Sequence, residues 1–256
     1  MKSLVVAGAI VASALAGAPR RAPHVSMHAD RAVPFAVGET LTYDVSWSSY
    51  LSAGTAVTTV EDKRSSGGSS AYAIAAEGRT ASLLQHLYTL SYKLDTLLDS
   101  VSLLPQRAST ETQEGSRHRV RTTIFDRRAG KAHYEIKTTT VVKEDIVIAP
   151  QTQDALSAIY ALRAAPLRTG ARMTMPVTDG GTIYTARFDV GAPERVRVPA
   201  GDMSAWKIAV QIADANGAPV GRQVAIWIAD DAKRWPVKLQ AELAVGNFTL
   251  ALREAR

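Results

Sequence analysis

The sequence contains no cysteine, which excludes disulfides, thiol catalysis, iron–sulfur clusters and cysteine-ligated zinc together. Histidine is nearly as scarce. Of the five, His24 and His28 sit in a proline- and arginine-rich stretch, while His86, His118 and His133 are scattered, so no metal-ligand spacing forms and neither a metal nor another cofactor is expected. There is no Gly-x-Ser-x-Gly elbow, no His-Glu-x-x-His, no glycine-rich phosphate loop and no calcium loop. The surplus of 30 Lys and Arg over 24 Asp and Glu gives a charge of +6, too dilute for a nucleic-acid arm, and nucleic acid is not an expected partner. Long apolar runs are also missing: Leu4 to Leu15 is about 12 residues, against the roughly 20 of a membrane-spanning helix.

That short run carries an address instead. Lys2 supplies a positive start, the apolar stretch follows, and Ala16-Gly17-Ala18 has the small-x-small pattern that signal peptidase cuts, so residues 1–18 read as a cleavable signal peptide. Export to the periplasm or the medium is the expectation, with no transmembrane segment left in the mature chain. Lipid anchoring of the N-terminus needs a cysteine and is excluded. Residues 19–37, with Pro19, Pro23, Pro34, Arg20, Arg21 and Arg31 and no apolar period, read as a flexible linker. Residues 38–256 read as a single β-rich domain, with a two-domain split near residue 150 or 170 as the alternative.

The pattern beyond Gly38 is alternation with period two, the mark of half-buried antiparallel strands. Leu41, Tyr43, Val45 and Trp47 share one face; the pattern recurs at Tyr72 to Ala76, Tyr88 to Leu98, Val120 to Ile124 and Thr138 to Ile148. In the second half, turns at Asp179-Gly180-Gly181, Pro199-Ala200-Gly201, Asn216-Gly217 and Gly246-Asn247 separate strands in series, which predicts a meander. One helix interrupts it. Asp154 can cap it, Leu156, Ile159, Tyr160 and Arg163 follow at helical spacing, and Pro166 and Gly170 lie beyond its end. A short helical turn at Ala81 to Leu87 is a weaker expectation. About a dozen strands cannot stay flat, because twist accumulates and edges are exposed. The expected fold is mainly β: a large curved antiparallel sheet, as a partly open barrel or two layers, with one central helix on its concave side.

Four motifs in order carry a resemblance. Gly38-Glu39-Thr40-Leu41-Thr42-Tyr43-Asp44-Val45-Ser46-Trp47 with Ala53-Gly54 comes first, then Gln153-Asp154-Ala155-Leu156-Ser157-Ala158-Ile159-Tyr160-Ala161-Leu162-Arg163. Val198-Pro199-Ala200-Gly201 leading to Trp206-Lys207 follows, and Ile226-Trp227-Ile228-Ala229-Asp230-Asp231 with Arg234-Trp235-Pro236-Val237-Lys238 closes the series. Together they resemble a bacterial family catalogued as domain of unknown function 3108, over nearly everything from Gly38 to Arg253. The resemblance implies an exported, mostly β envelope protein and brings no catalytic residues with it.

Candidate chemistry is therefore read from residue types. Tyr43, Trp47, Tyr88, Tyr92, Tyr160, Tyr184, Trp206 and Trp227 are candidates to line an apolar cavity in the concave side, or else to pack the core. Gln153, beside the capping Asp154, has no separate structural explanation and joins that set. Arg117, Arg119 and Arg121 project from one face of a strand and form either an anion-binding stripe or a solvated outer face that blunts edge pairing. Asp44, Asp95 and Asp99 are the carboxylates a glycan hydrolase would draw on. His86 is a candidate base with no legible partner. The resulting expectation is a noncatalytic envelope protein that binds a lipid or other amphipathic ligand. The alternatives are an envelope glycan hydrolase, or a scaffold that meets other envelope proteins through a sheet edge.

Overall fold

The computed structural model describes residues 29–48, 51–66, 69–81, 90–221, 223–243 and 246–256. The first half of the chain gives β1 (Thr40–Trp47), β2 (Leu51–Ser66), β3 (Ser69–Thr80), β4 (Leu90–Asp99), β5 (Pro105–Glu114), β6 (Arg117–Asp126), β7 (Lys131–Lys137) and β8 (Val141–Val147). The two-residue β9 (Gln153–Asp154) leads straight into α1 (Ala155–Arg163). The second half gives β10 (Arg172–Asp179), β11 (Thr182–Val198), β12 (Gly201–Ala213), β13 (Val224–Ala229), β14 (Pro236–Leu243) and β15 (Gly246–Ala255). All of them form one 15-stranded sheet in the order β8 to β1, then β15 to β9. Two meanders thus meet at a β1–β15 seam, and among the described residues only β9–β10 is parallel.

Register shifts between Thr42 and Tyr43, Val60 and Asp62, Leu97 and Leu98, Val190 and Pro193, and Trp227 and Ile228 interrupt the ladders. Each such irregularity increases local twist, and the sheet curls on itself. The curl is not closed by a ladder. Its inner edge, β9, is held by the Thr96 hydroxyl of β4, which donates to the Asp154 carboxylate at 2.8 Å. The β10–β11 turn rests on β7, where a Cβ at Gly181 would lie 3.0 Å from the Tyr134 ring. Ile183 completes the overlap by packing against Phe125, Ala132, Ile146 and Ile148. The expected curved, partly open barrel is what forms.

Antiparallel order places the β1–β2, β3–β4, β5–β6, β7–β8, β10–β11, β12–β13 and β14–β15 turns at one end, here the upper end. The helix fills the lower half of the interior. Its N-terminus forms a capping box: Asp154 accepts from the N–H groups of Leu156 and Ser157, and the Ser157 hydroxyl accepts from the Asp154 N–H. Leu156 and Tyr160 pack into the first meander, against Phe35, Val60, Ile74 and Leu98. Leu162 packs into the second, against Phe188, Ile208, Ile226 and Ile228. One amphipathic helix therefore holds both halves of the sheet at a fixed distance.

Its last residue locks the lower end. Arg163 is 1% exposed. Its guanidinium meets the Glu39 carboxylate in bidentate fashion, at 2.6 and 2.8 Å, and donates to the carbonyls of Arg234, Lys233 and Pro34. Trp235 donates its indole N–H to the same Glu39 carboxylate at 3.1 Å, and the Phe35 and Tyr160 rings lie beside the cation. Burial pushes the Tyr160 phenol up to about 12 and raises that of Tyr43 further still.

One expectation needs correction here. Within the supposed linker 19–37, the described residues 29–37 are docked. Phe35 is buried edge-on against Tyr72 and Tyr160, and the Arg31 N–H donates to the Ser100 carbonyl at 2.9 Å. Asp30 accepts from Lys63, Ser70 and Ser100, which holds its carboxyl down at about 2. A single ring entering a preformed slot needs no periodic pattern, which is why proline and arginine content misleads there. Residues 19–28 lie outside the described residues.

Candidate functional site

The inner wall differs between its two ends. Below, Leu41, Tyr43, Ile208, Ile228 and Leu252 are buried against the helix and its surroundings. Above, the same strands continue inward-facing apolar residues that are only half-buried: Val45 on β1, Leu250 on β15, Leu239 on β14, Val224 on β13 and Ile212 on β12, of which Leu250 packs on the edge of the Leu41, Tyr43 and Leu252 cluster and the last three on that of Leu162, Ile208 and Ile226. Two aromatics stand at this level. Trp47 is 39% exposed and stacks on Phe248 at 6.2 Å between ring centroids, across the β1–β15 seam. Gly246 makes its position available, since a Cβ there would fall 2.2 Å from the Trp47 indole nitrogen. Tyr92, on β4, is 38% exposed, and its hydroxyl donates to Glu114 at 3.1 Å. Three strand spacings, about 14 Å along the curve, separate β1 from β4.

The arginine stripe lies on this wall too. Thr96 points inward to Asp154, and cross-strand pairing through Ala108 makes Thr123 its inward neighbour on β6. Parity then brings Arg121, Arg119 and Arg117 to the inner face, beside Thr110 and Thr112. The reading of the stripe as a solvated outer face is overturned: β6 is five strands from the seam strand β1, is paired on both sides, and presents these side chains inward. Arg119 and Arg121 are half-buried, Arg117 is exposed, and none of the three has a hydrogen-bond or ion-pair partner among the described residues. Arg121 also lines a crevice of about 50 Å³ with Tyr134, Asp154 and Thr178. There the buried Thr178 hydroxyl has no partner, and burial raises the Asp154 carboxyl against the bonds that favour its charge. The crevice has room for water but not for an acyl chain.

The other expected site residues fall elsewhere. Tyr43 and Tyr160 are core residues of the lower end. Trp206 faces inward but packs with the lower core and donates its indole N–H to Asp230 at 2.7 Å. Gln153 is explained structurally: its amide donates to the Leu103 carbonyl at 3.1 Å, while its Oε1 has no partner. Trp227 is a correction. It lies on the face opposite Ile226 and Ile228, covered by Lys207 and Lys238, with its indole N–H given to Glu194 at 2.6 Å, so it cannot line the concave side. Tyr184 is half-buried on the upper inner wall, and Tyr88 and His86 lie outside the described residues, as do His24, His28 and most of the expected turn at Ala81 to Leu87.

The carboxylates do not converge. Asp95 and Asp99 share the outer face of β4 but stand four residues, about 13 Å, apart, beyond the spacing of a glycosidase pair. Asp44 is on β1 and pairs with Arg253 at 2.9 Å. Burial works against the Asp99 charge, yet bonds from Ser102, Ser69 and Val101 outweigh it and hold the carboxyl below the ordinary range. His118 and His133 are exposed and pair with Glu111 and Asp145. Among the described residues no group of three or more His, Asp or Glu is arranged to hold a metal ion, and no helix is long and apolar enough to cross a membrane.

The family model for proteins of unknown function designated DUF3108 matches residues 42–253, and the chain belongs to that family. No curated protein matches the sequence. Among solved structures, a β-barrel-like protein of the DUF1849 family from Brucella abortus is similar over 86% of this chain and 97% of its own, with a TM-score of 0.56 and 11% identity, which is a likeness of fold. A Bacteroides fragilis protein of YmcC-like fold, provisionally described as exported, covers 89% of this chain and 100% of its own at 10% identity, and its TM-score of 0.34 carries no argument.

Proposed function

We propose that this DUF3108 chain is a noncatalytic, exported envelope protein that holds an anionic amphiphile, such as a lipid, against the upper inner wall. Apolar chains would lie along Val45, Trp47, Leu250 and Val224, and a phosphate or carboxylate head would meet Arg119 and Arg121. The observation that carries this reading is the pair of inward-facing aromatics, Trp47 and Tyr92, left more than a third exposed on a wall whose lower half is packed. Interior apolar surface that stays in contact with water costs roughly 25 cal/mol per Å², and a ligand is one way to recover it. Unpaired arginines on the same wall supply the charge complement. The leader pattern of residues 1–18 supports the compartment.

The test is native mass spectrometry of the mature protein purified from its own envelope, followed by organic extraction and lipid analysis. A copurifying lipid in stoichiometric amount is expected, lost from Trp47→Ala and Tyr92→Ala variants. A wild-type mass equal to that of the bare chain, with an empty extract, overturns the proposal.

A further inference from the structure

The two edges of the sheet are treated differently. The β9 edge is two residues long, buried, and covered by β4 and the start of α1. The β8 edge is seven residues long, with no proline, glycine or register shift, and every residue but Ile146 is exposed. Natural edges are blunted by inward charges, bulges or proline, and β8 has only Lys143, Glu144 and Asp145 in the middle of an otherwise apolar strand. Val141, Val142 and Val147 are 51%, 55% and 80% exposed.

The order of these residues identifies an occupant. On the outer face β8 reads Val141, Lys143, Asp145, Val147, which is chemically complementary to itself when reversed. Antiparallel pairing of two β8 strands about Glu144 sets Val141 opposite Val147 and Lys143 opposite Asp145, twice each by symmetry. On the inner face it sets Val142 opposite Ile146. Cross-strand apolar and opposite-charge pairs are the favourable kinds. A shift of the centre by one residue either way puts Lys143 or Asp145 opposite its own copy and loses the charge pairing. The single unfavourable pair is Glu144 with itself, at an exposed position. Lys143 and Asp145 already have neighbours within the chain, Glu135 at 2.9 Å and His133 at 2.7 Å, but all four side chains are 40% exposed or more and open to a further partner.

We propose that β8 is the contact through which two copies of this chain associate, extending both sheets across a two-fold axis centred on Glu144. The proposal is independent of the inner wall, and a ligand there neither requires nor prevents it. A seven-residue strand pair is small beside a standard interface, so a weak dimer, in the micromolar range, is expected.

Sedimentation equilibrium of the mature protein up to about 100 µM should show monomer and dimer in exchange. Val147→Lys, which places a lysine opposite Val141 at both ends, should weaken dimerisation at least roughly tenfold, and Glu144→Gln should strengthen it several-fold by relieving the central repulsion. Because the chain has no cysteine, single substitutions report the register. Glu144→Cys should be trapped as a disulfide dimer on mild oxidation, whereas Lys143→Cys, whose copies sit diagonally at roughly 7–8 Å, should not. A strict monomer at the highest concentration, a dimer indifferent to Val147→Lys, or equal trapping of the two cysteine variants overturns the proposal.

Discussion

The lower and upper ends of the interior are built by the same strands and end in opposite states. At the lower end a buried cation finds a carboxylate, three carbonyls and two aromatic faces, and all three nitrogens of the Arg163 guanidinium donate. At the upper end two cations, Arg119 and Arg121, face the same interior with no such partner among the described residues, and Tyr92 on β4 and Trp47 on β1 are each more than a third exposed. The difference separates what holds the fold from what the fold presents. The family motifs span both ends: Glu39, Tyr43, Tyr160, Arg163 and Trp235 belong to the lower lock, while Val45 and Trp47, in the first motif, lie on the upper wall.

The comparison can be broken or sharpened by mutation. Arg163→Ala leaves the Glu39 carboxylate largely buried with only the Trp235 N–H and no counter-charge and should cost about 3–5 kcal/mol in urea denaturation; a loss under about 1 kcal/mol would mean that the lock is not what holds the lower end. Asp154→Ala should cost about 1–2 kcal/mol through loss of the cap. The same site gives a pH signature. Its folded carboxyl is raised by burial, so the contribution to stability is fully present below the ordinary Asp pKa and is lost as pH rises through the raised value. Asp154→Asn, which keeps a good cap, should flatten that fall; an unchanged pH profile of the denaturation midpoint would place the titration elsewhere. Trp47→Ala should cost only about 1 kcal/mol, from the half-exposed ring and its stacking on Phe248, while abolishing lipid copurification. Arg119→Gln with Arg121→Gln should stay within about 0.5 kcal/mol of wild type in stability and still release an anionic lipid. Equal effects of the Trp47 and Arg163 changes on stability would erase the distinction between the two ends.

Much of this was legible in the sequence, for identifiable reasons. The helix announces itself by Asp154 and the 3.6-residue spacing of Leu156, Tyr160 and Arg163, because a cap and an apolar stripe are local. The second meander shows clean alternation between glycine turns. The first hides three strands: β2 and β5 are rich in Thr, Ser and charge on both faces, so no apolar period marks them, and the short alternation of Ala132, Tyr134 and Ile136 in β7 was the one signal available there. The inward side of Arg119 and Arg121 depends on the curl, which β6 alone does not encode. The partnership of Glu39 with Arg163, 124 residues apart, has no local trace at all. Trp227 was readable, since it alternates with Ile226 and Ile228 and so belongs on the other face.

The seam between the two meanders bears on how the chain reaches this state. Nearly every other ladder joins strands adjacent in sequence, but β1–β15 pairs Leu41 with Ala255, and the backbone groups of Thr40 and Arg256 bond reciprocally at 3.0 and 2.9 Å. Closing a loop of that length costs about 5 kcal/mol in chain entropy, to be met before any contact across it forms. The two hairpin arrays are therefore expected to assemble first and the central pair of strands last, so that truncating Leu252 speeds unfolding with little effect on the folding rate. The middle of the sheet in space thus joins strands at opposite ends of the sheet's chain order, and the expected final step is the zipping of β1 onto β15.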